Sequence, residues 1–136
     1  MELAAVPRVD APAEPGEWSI ALITRGGIGG GAAKDVTLTS AGPVRCSNPN
    51  PKCRATLDRQ AVAALSRQVE LSWAAFTAPA ARLCSDCVRT FLLITRRDQS
   101  GQPHVRAASW DVTTTSQVPP DIFRLAASAI ASVEAR

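Results

Sequence analysis

The chain has no tyrosine, one methionine and a single histidine, His104. With no second histidine and no obvious nucleophile beside it, no acid–base or nucleophilic constellation can be assembled around His104. It is read as a residue at the start of a strand. Asp58, Glu70, Asp86, Asp98, Asp111 and Asp121 include no pair spaced as a carboxylate dyad. The chain is therefore expected to be non-enzymatic. No run approaches the ~20 apolar residues of a membrane helix. Met1 to Glu17 lacks a basic segment followed by an apolar one, so no signal peptide is expected in the sequence as written. The basic residues give a net charge of only +3 and are spread along the chain, without the dense stripe of a nucleic-acid binder. Arg96-Arg97 is the only adjacent basic pair and reads as a solvated strand end. Large side chains are also few, because the apolar share of 46% leans on alanine. Trp18, Trp73, Trp110, Phe76, Phe91 and Phe123 are the expected core anchors, and a tryptophan left half exposed would mark a binding face.

What is present suits one α+β domain of 136 residues. Residues 1–17, with Pro7, Pro12 and Pro15, read as a disordered leader, and residues 18–136 as the domain. Trp18 to Thr24 alternates as a half-buried strand. A β pattern resumes at Asp35 to Thr39 and ends at Ser40-Ala41-Gly42-Pro43, which makes a hairpin with the first strand. Val44 to Arg54 reads as a loop. Thr56 is the expected N-cap of a helix from about Leu57 to Phe76, with Leu57, Ala61, Leu65, Val69 and Trp73 on one stripe. Val88 to Thr95 is the strongest strand, Asp98-Gln99-Ser100-Gly101 its turn, and His104 to Val112 the return. Pro119-Pro120-Asp121 opens a second helix that buries Ile122, Leu125, Ala126, Ala129, Ile130 and Val133. The order β-β-α-β-β-α predicts a four-stranded antiparallel sheet with both helices packed on one face.

Two features invite a functional reading. Five of the eight glycines fall within the six residues Gly26 to Gly31. A phosphate cradle would need a helix directly after such a loop, but here a strand follows. The alternatives are a simple hairpin loop, or bare backbone suited to close approach by another chain. The second feature is the set Cys46, Cys53, Cys84 and Cys87. Four cysteines in a short chain point to disulfides if it is exported and to a four-cysteine zinc site if it is cytosolic. Cys84-Ser85-Asp86-Cys87 leads into a strand rather than a helix, so a thioredoxin-like role is not expected. Disulfides would place the protein in the periplasm or outside the cell, and zinc would place it in the cytoplasm.

The turn Arg25-Gly26-Gly27-Ile28-Gly29-Gly30 resembles the Gly-Gly-Phe-Ala-Gly turn, closely preceded by arginine, of the emfourin family, small bacterial inhibitors of thermolysin-like metalloproteases. Gly26, Gly27 and Gly30 occupy the matching places and Arg25 roughly its own. Ile28 stands where an aromatic is usual, and Gly29 where alanine is. The resemblance extends in element order from about Trp18 to Val133 and takes in Asp86, Asp111 and Val118-Pro119-Pro120. It implies a protein-binding module acting on a metalloprotease, with Arg25, Gly26, Gly27, Ile28, Gly29 and Gly30 at the interface. The proline-rich loop between Cys46 and Cys53 and the Cys84/Cys87 pair depart from the family pattern and look like additions of an exported branch. The alternative is a disulfide-stabilised envelope or secreted protein with another partner.

Overall fold

The computed structural model describes residues 14–26, 34–46, 56–76, 87–111, 113 and 115–134. Strands β1 (Trp18–Gly26), β2 (Lys34–Thr39) and β3 (Val44–Cys46) precede helix α1 (Arg59–Ser72), which continues as a short 3-10 turn, Trp73–Ala75. Strands β4 (Val88–Arg97) and β5 (Pro103–Trp110) follow, then a 3-10 turn at Thr115–Gln117 and helix α2 (Pro120–Glu134). The fold is α+β, with five strands in one antiparallel sheet ordered β3-β2-β1-β4-β5. The expected four strands therefore become five. The added strand, β3, lies in the stretch read as a loop. Three residues are too short to display an alternation, and it is the pairing of Val36, Thr37 and Leu38 with Cys46, Arg45 and Val44 that makes them a strand.

Both helices pack on one sheet face. Ile20, Leu38, Val44, Leu92, Ile94 and Ala108 from the sheet form one buried cluster with Leu65 and Val69 of α1 and Ile122, Leu125 and Ala129 of α2. Trp18 belongs to this cluster, and its indole N–H donates to the Ser66 hydroxyl at 2.8 Å, tying β1 to α1. Trp110 meets Phe123 edge to face at 5.1 Å, a favourable quadrupole geometry. β1 departs from the half-buried expectation. Ala21 and Ile23 on its second face are also buried, beside Phe91 and Leu93 of β4. A central strand is flanked on both edges, and here Ser19, Thr95 and Ser109 are buried with it.

Helix α1 is shorter than its apolar period suggests. Its N-cap is Asp58 rather than Thr56, and the Asp58 carboxylate accepts from the Ala61 amide at 2.8 Å. Thr56 instead bridges to Pro43. After Ser72 the backbone tightens into the 3-10 turn and then extends at Phe76. In α2, Ile130 was expected inside but is 42% exposed, while Ile122, Leu125, Ala126 and Ala129 are buried as expected. Beyond the domain's expected start, the Gly16 amide donates to the Arg97 carbonyl at 2.9 Å and the Arg97 amide to Glu17 at 3.1 Å, which prolongs the β1–β4 ladder by one step.

Candidate functional site

The register of β1 against β4 separates two ends of the sheet. Gly26 faces Val88 at one end and Trp18 faces Arg96 at the other. Eight residue steps of strand separate Trp18 from Gly26, about 26 Å of extended chain.

At the first end, β1 delivers Arg25 and Gly26 to the base of the glycine turn. Gly27, Ile28, Gly29 and Gly30 lie outside the described residues. Asp35 stands opposite Ile23, so Arg25, two residues on, shares its sheet face and reaches it diagonally. The guanidinium grips the carboxylate with both terminal nitrogens: Nη1 bonds Oδ1, and Nη2 donates to Oδ2 at 2.7 Å. Nη1 also donates to the Thr24 carbonyl at 3.0 Å. The Asp35 hydrogen bond raises the Arg25 pKa above its ordinary value, against partial desolvation and with the carboxylate's charge as a smaller contribution.

Gly26 carries φ +95°, and a Cβ at this position would lie 3.0 Å from the Cys87 carbonyl oxygen. The position thus demands glycine twice, through its left-handed backbone and through the close approach of the neighbouring chain. The same contact places the start of the glycine turn against Cys87, a neighbour that the sequence does not show. Cys87 is disulfide-bonded. Cys46 cannot be its partner. β3 and β4 are separated by β2 and β1. Three strand spacings amount to about 14 Å, whereas a disulfide needs Cα atoms within ~7 Å. Cys53, Cys84 and the Cys46 side chain lie outside the described residues. Among the described residues no group of three or more His, Cys, Asp or Glu side chains could hold a metal ion, and no helix is long and apolar enough to cross a membrane.

At the opposite end, Trp73 follows α1 and meets two arginines from the sheet. The Arg96 guanidinium carbon lies 4.0 Å from the ring centroid and that of Arg106 lies 4.7 Å away. Arg106 stands opposite Ile94 in the β4–β5 register, which puts it on the face that packs the helices. It donates to the Trp73 carbonyl at 2.7 Å, while Arg96 donates to Glu70 at 2.7 Å. These residues line a cleft of about 540 Å³ together with Arg97, Asp98 and His104.

The β4–β5 turn forms the rim of this cleft. Asp98 Oδ1 accepts from the Ser100 hydroxyl at 2.6 Å, the Ser100 amide at 3.0 Å and the Gln102 amide at 2.9 Å. Its Oδ2 lies 3.0 Å from His104 Nε2. These donors, the Ser100 hydroxyl first, then His104 and the Gln102 amide, hold the Asp98 carboxyl well below the usual carboxylate range. His104 is exposed at the start of its strand, as expected.

The sequence reading missed this second constellation. Arg96-Arg97 reads as a solvated strand end and Trp73 as a core anchor; Trp73 does pack against the core, and its ring also meets the two guanidinium groups. A signal was present: Arg106 shares its alternation with Ala108 and Trp110, the inward positions of β5, where an arginine requires a partner. Comparison of the chain with protein-family models, curated proteins and solved structures finds no match.

Proposed function

We propose that this protein is a non-enzymatic protein-binding module whose working edge is the glycine turn, and that its most concrete form is an emfourin-like inhibitor of a thermolysin-like metalloprotease. The observation that carries this reading is the braced base of the turn. One side is clamped by the bidentate Arg25–Asp35 pair. The other side is set by Gly26 against the Cys87 carbonyl. A loop held at its base loses less conformational freedom on docking, so more of its contact energy appears as affinity. Glycines leave backbone N–H and C=O groups accessible to an extended partner segment, the mode in which main-chain hydrogen bonds supply affinity. Inhibition then proceeds by occlusion: the turn lies across the protease cleft and no bond is made or broken. Titration of a thermolysin-like protease from the same source should give a stoichiometric loss of peptide hydrolysis. Full activity at micromolar inhibitor overturns the inhibitor form.

A second reading is favoured by the disulfide at Cys87. It is an exported envelope or secreted interaction protein, hardened by cross-links, with a partner other than a protease. Structural disulfides persist in oxidising compartments, whereas zinc would occupy the same cysteines in the cytoplasm. Intact mass with and without reductant separates these states. Two hydrogens gained per bridge support the exported form, and zinc retained in the native spectrum supports the cytosolic one.

A further inference from the structure

We propose that the cleft between Trp73, Arg96 and Arg106 is a binding site for a carboxylate-bearing ligand, distinct from the glycine turn. Two guanidinium groups are held over one indole, at 4.0 and 4.7 Å. Like charges gathered on one ring repel each other, and a counter-charge relieves that repulsion. Arg96 has such a counter-charge in Glu70. Among the described residues no carboxylate pairs with Arg106, whose hydrogen bond goes to a neutral backbone carbonyl. Asp98, the other acid on the cleft wall, is occupied by its own turn and by His104.

Glu70 also identifies the class of ligand. It is a carboxylate seated 2.7 Å from Arg96 Nη1, yet its side chain is 71% exposed. The site therefore already accommodates this chemistry, and its resident group can swing into solvent when a ligand oxygen replaces it. The planar guanidinium fork matches a carboxylate in a bidentate fashion, and both forks are held against the indole. A volume of about 540 Å³ admits a small polycarboxylate or two adjacent acidic side chains of a peptide. The shared chemistry is a pair of carboxylates on one ligand, one on Arg96 and one on Arg106.

Citrate, a triglutamate peptide and inorganic phosphate, titrated separately into the full oxidised chain, test this. Binding is read by calorimetry and by the Trp73 indole N–H resonance, assigned with Trp73→Phe. Citrate or triglutamate is expected to shift that resonance saturably. Whichever binds more tightly identifies the source, a free polycarboxylate or an acidic segment. Arg106→Gln should weaken binding about tenfold or more. Glu70→Gln should strengthen it, because an internal competitor for Arg96 is removed. This exposed substitution leaves the fold intact even if Arg106→Gln does not. No saturable shift with either carboxylate, phosphate binding as tight as citrate, or an unchanged affinity in Glu70→Gln would each overturn the proposal.

Discussion

The two ends of the sheet gather charge in opposite ways. At the glycine-turn end Arg25 is matched by Asp35 from the neighbouring strand and the pair closes on itself, with Arg89 of β4 opposite Arg25 in the register. At the other end two arginines from β4 and β5 converge on a tryptophan from the α1 side, and one of them has no acidic partner among the described residues. A closed pair serves geometry: it pins the base of a hairpin and has little attraction left for a ligand. An open cluster serves recognition, because its charge is only partly answered within the chain. The glycine end thus relies on backbone shape and the arginine end on side-chain charge, and these are separable by substitution.

The largest effect is expected from Gly26→Val. A β-branched residue at φ +95° is strongly disfavoured, and its Cβ would press on the Cys87 carbonyl, which is backbone and cannot rotate away. We expect a loss of about 2–3 kcal/mol, or roughly 10 °C in melting temperature. Thermal unfolding followed by circular dichroism measures it. If the comparison holds, carboxylate binding in the arginine cleft is unchanged at temperatures where the variant is folded. A variant as stable as the parent chain would show that the base of the turn yields easily and is not braced.

Gly26 also shows how far the sequence could be read. Its membership of a glycine cluster was plain, and so was the strand before it, because both are local patterns. Its contact with Cys87 was not, since it depends on β1 pairing with a strand more than sixty residues later in the chain, in the register Gly26↔Val88. The same distinction accounts for the other elements. β1, β2, β4, β5 and both helices follow from alternation or from a stripe of every third or fourth residue. β3 is too short to show a period and exists through its partner. Trp73, Arg96 and Arg106 come from three separate elements, and only the β4–β5 register and the placement of α1 bring them together. Ile130 has the spacing of an inward residue yet is 42% exposed, while Ala129 before it is buried and Val133 beyond it packs against the core.

A smaller effect should come from breaking the closed pair. Arg25 and Asp35 are 42% and 27% exposed, so solvent screens them, but both terminal guanidinium nitrogens are engaged. A double-mutant cycle with Arg25→Ala and Asp35→Ala should give a coupling of about 0.5–1 kcal/mol, shrinking as salt is raised. Denaturant unfolding supplies the four stabilities. Protease inhibition measured on the same variants tests the functional side: Arg25→Ala should raise the inhibition constant by more than its stability loss explains, because the turn above it loses its brace. Coupling near zero would remove the clamp from the proposed mechanism and leave Gly26 as the only constraint on the base of the turn.

The smallest effect is pH-dependent and arises at the arginine end. The Asp98 carboxyl is held well below its usual range by the Ser100 hydroxyl, His104 and the Gln102 amide. The folded chain therefore releases this proton more readily than the unfolded chain does, whose aspartate titrates near pH ~4. The stabilisation is complete above that value and is lost as the pH falls from it towards the folded pKa, where the unfolded state takes up the proton first. Asp98→Asn retains an acceptor for the turn amides but has no charge to lose. The two chains should differ in urea midpoint near neutrality and converge below pH ~4. The contact between Gly26 and the Cys87 carbonyl is uncharged and has no such dependence. Hydrogen exchange in acid should thus quicken at Ser100 and Gln102 before Gly26 and Val88. Simultaneous opening of both ends would mean that the sheet transmits the loss as one rigid unit, and the separation between its two ends would then be chemical but not mechanical.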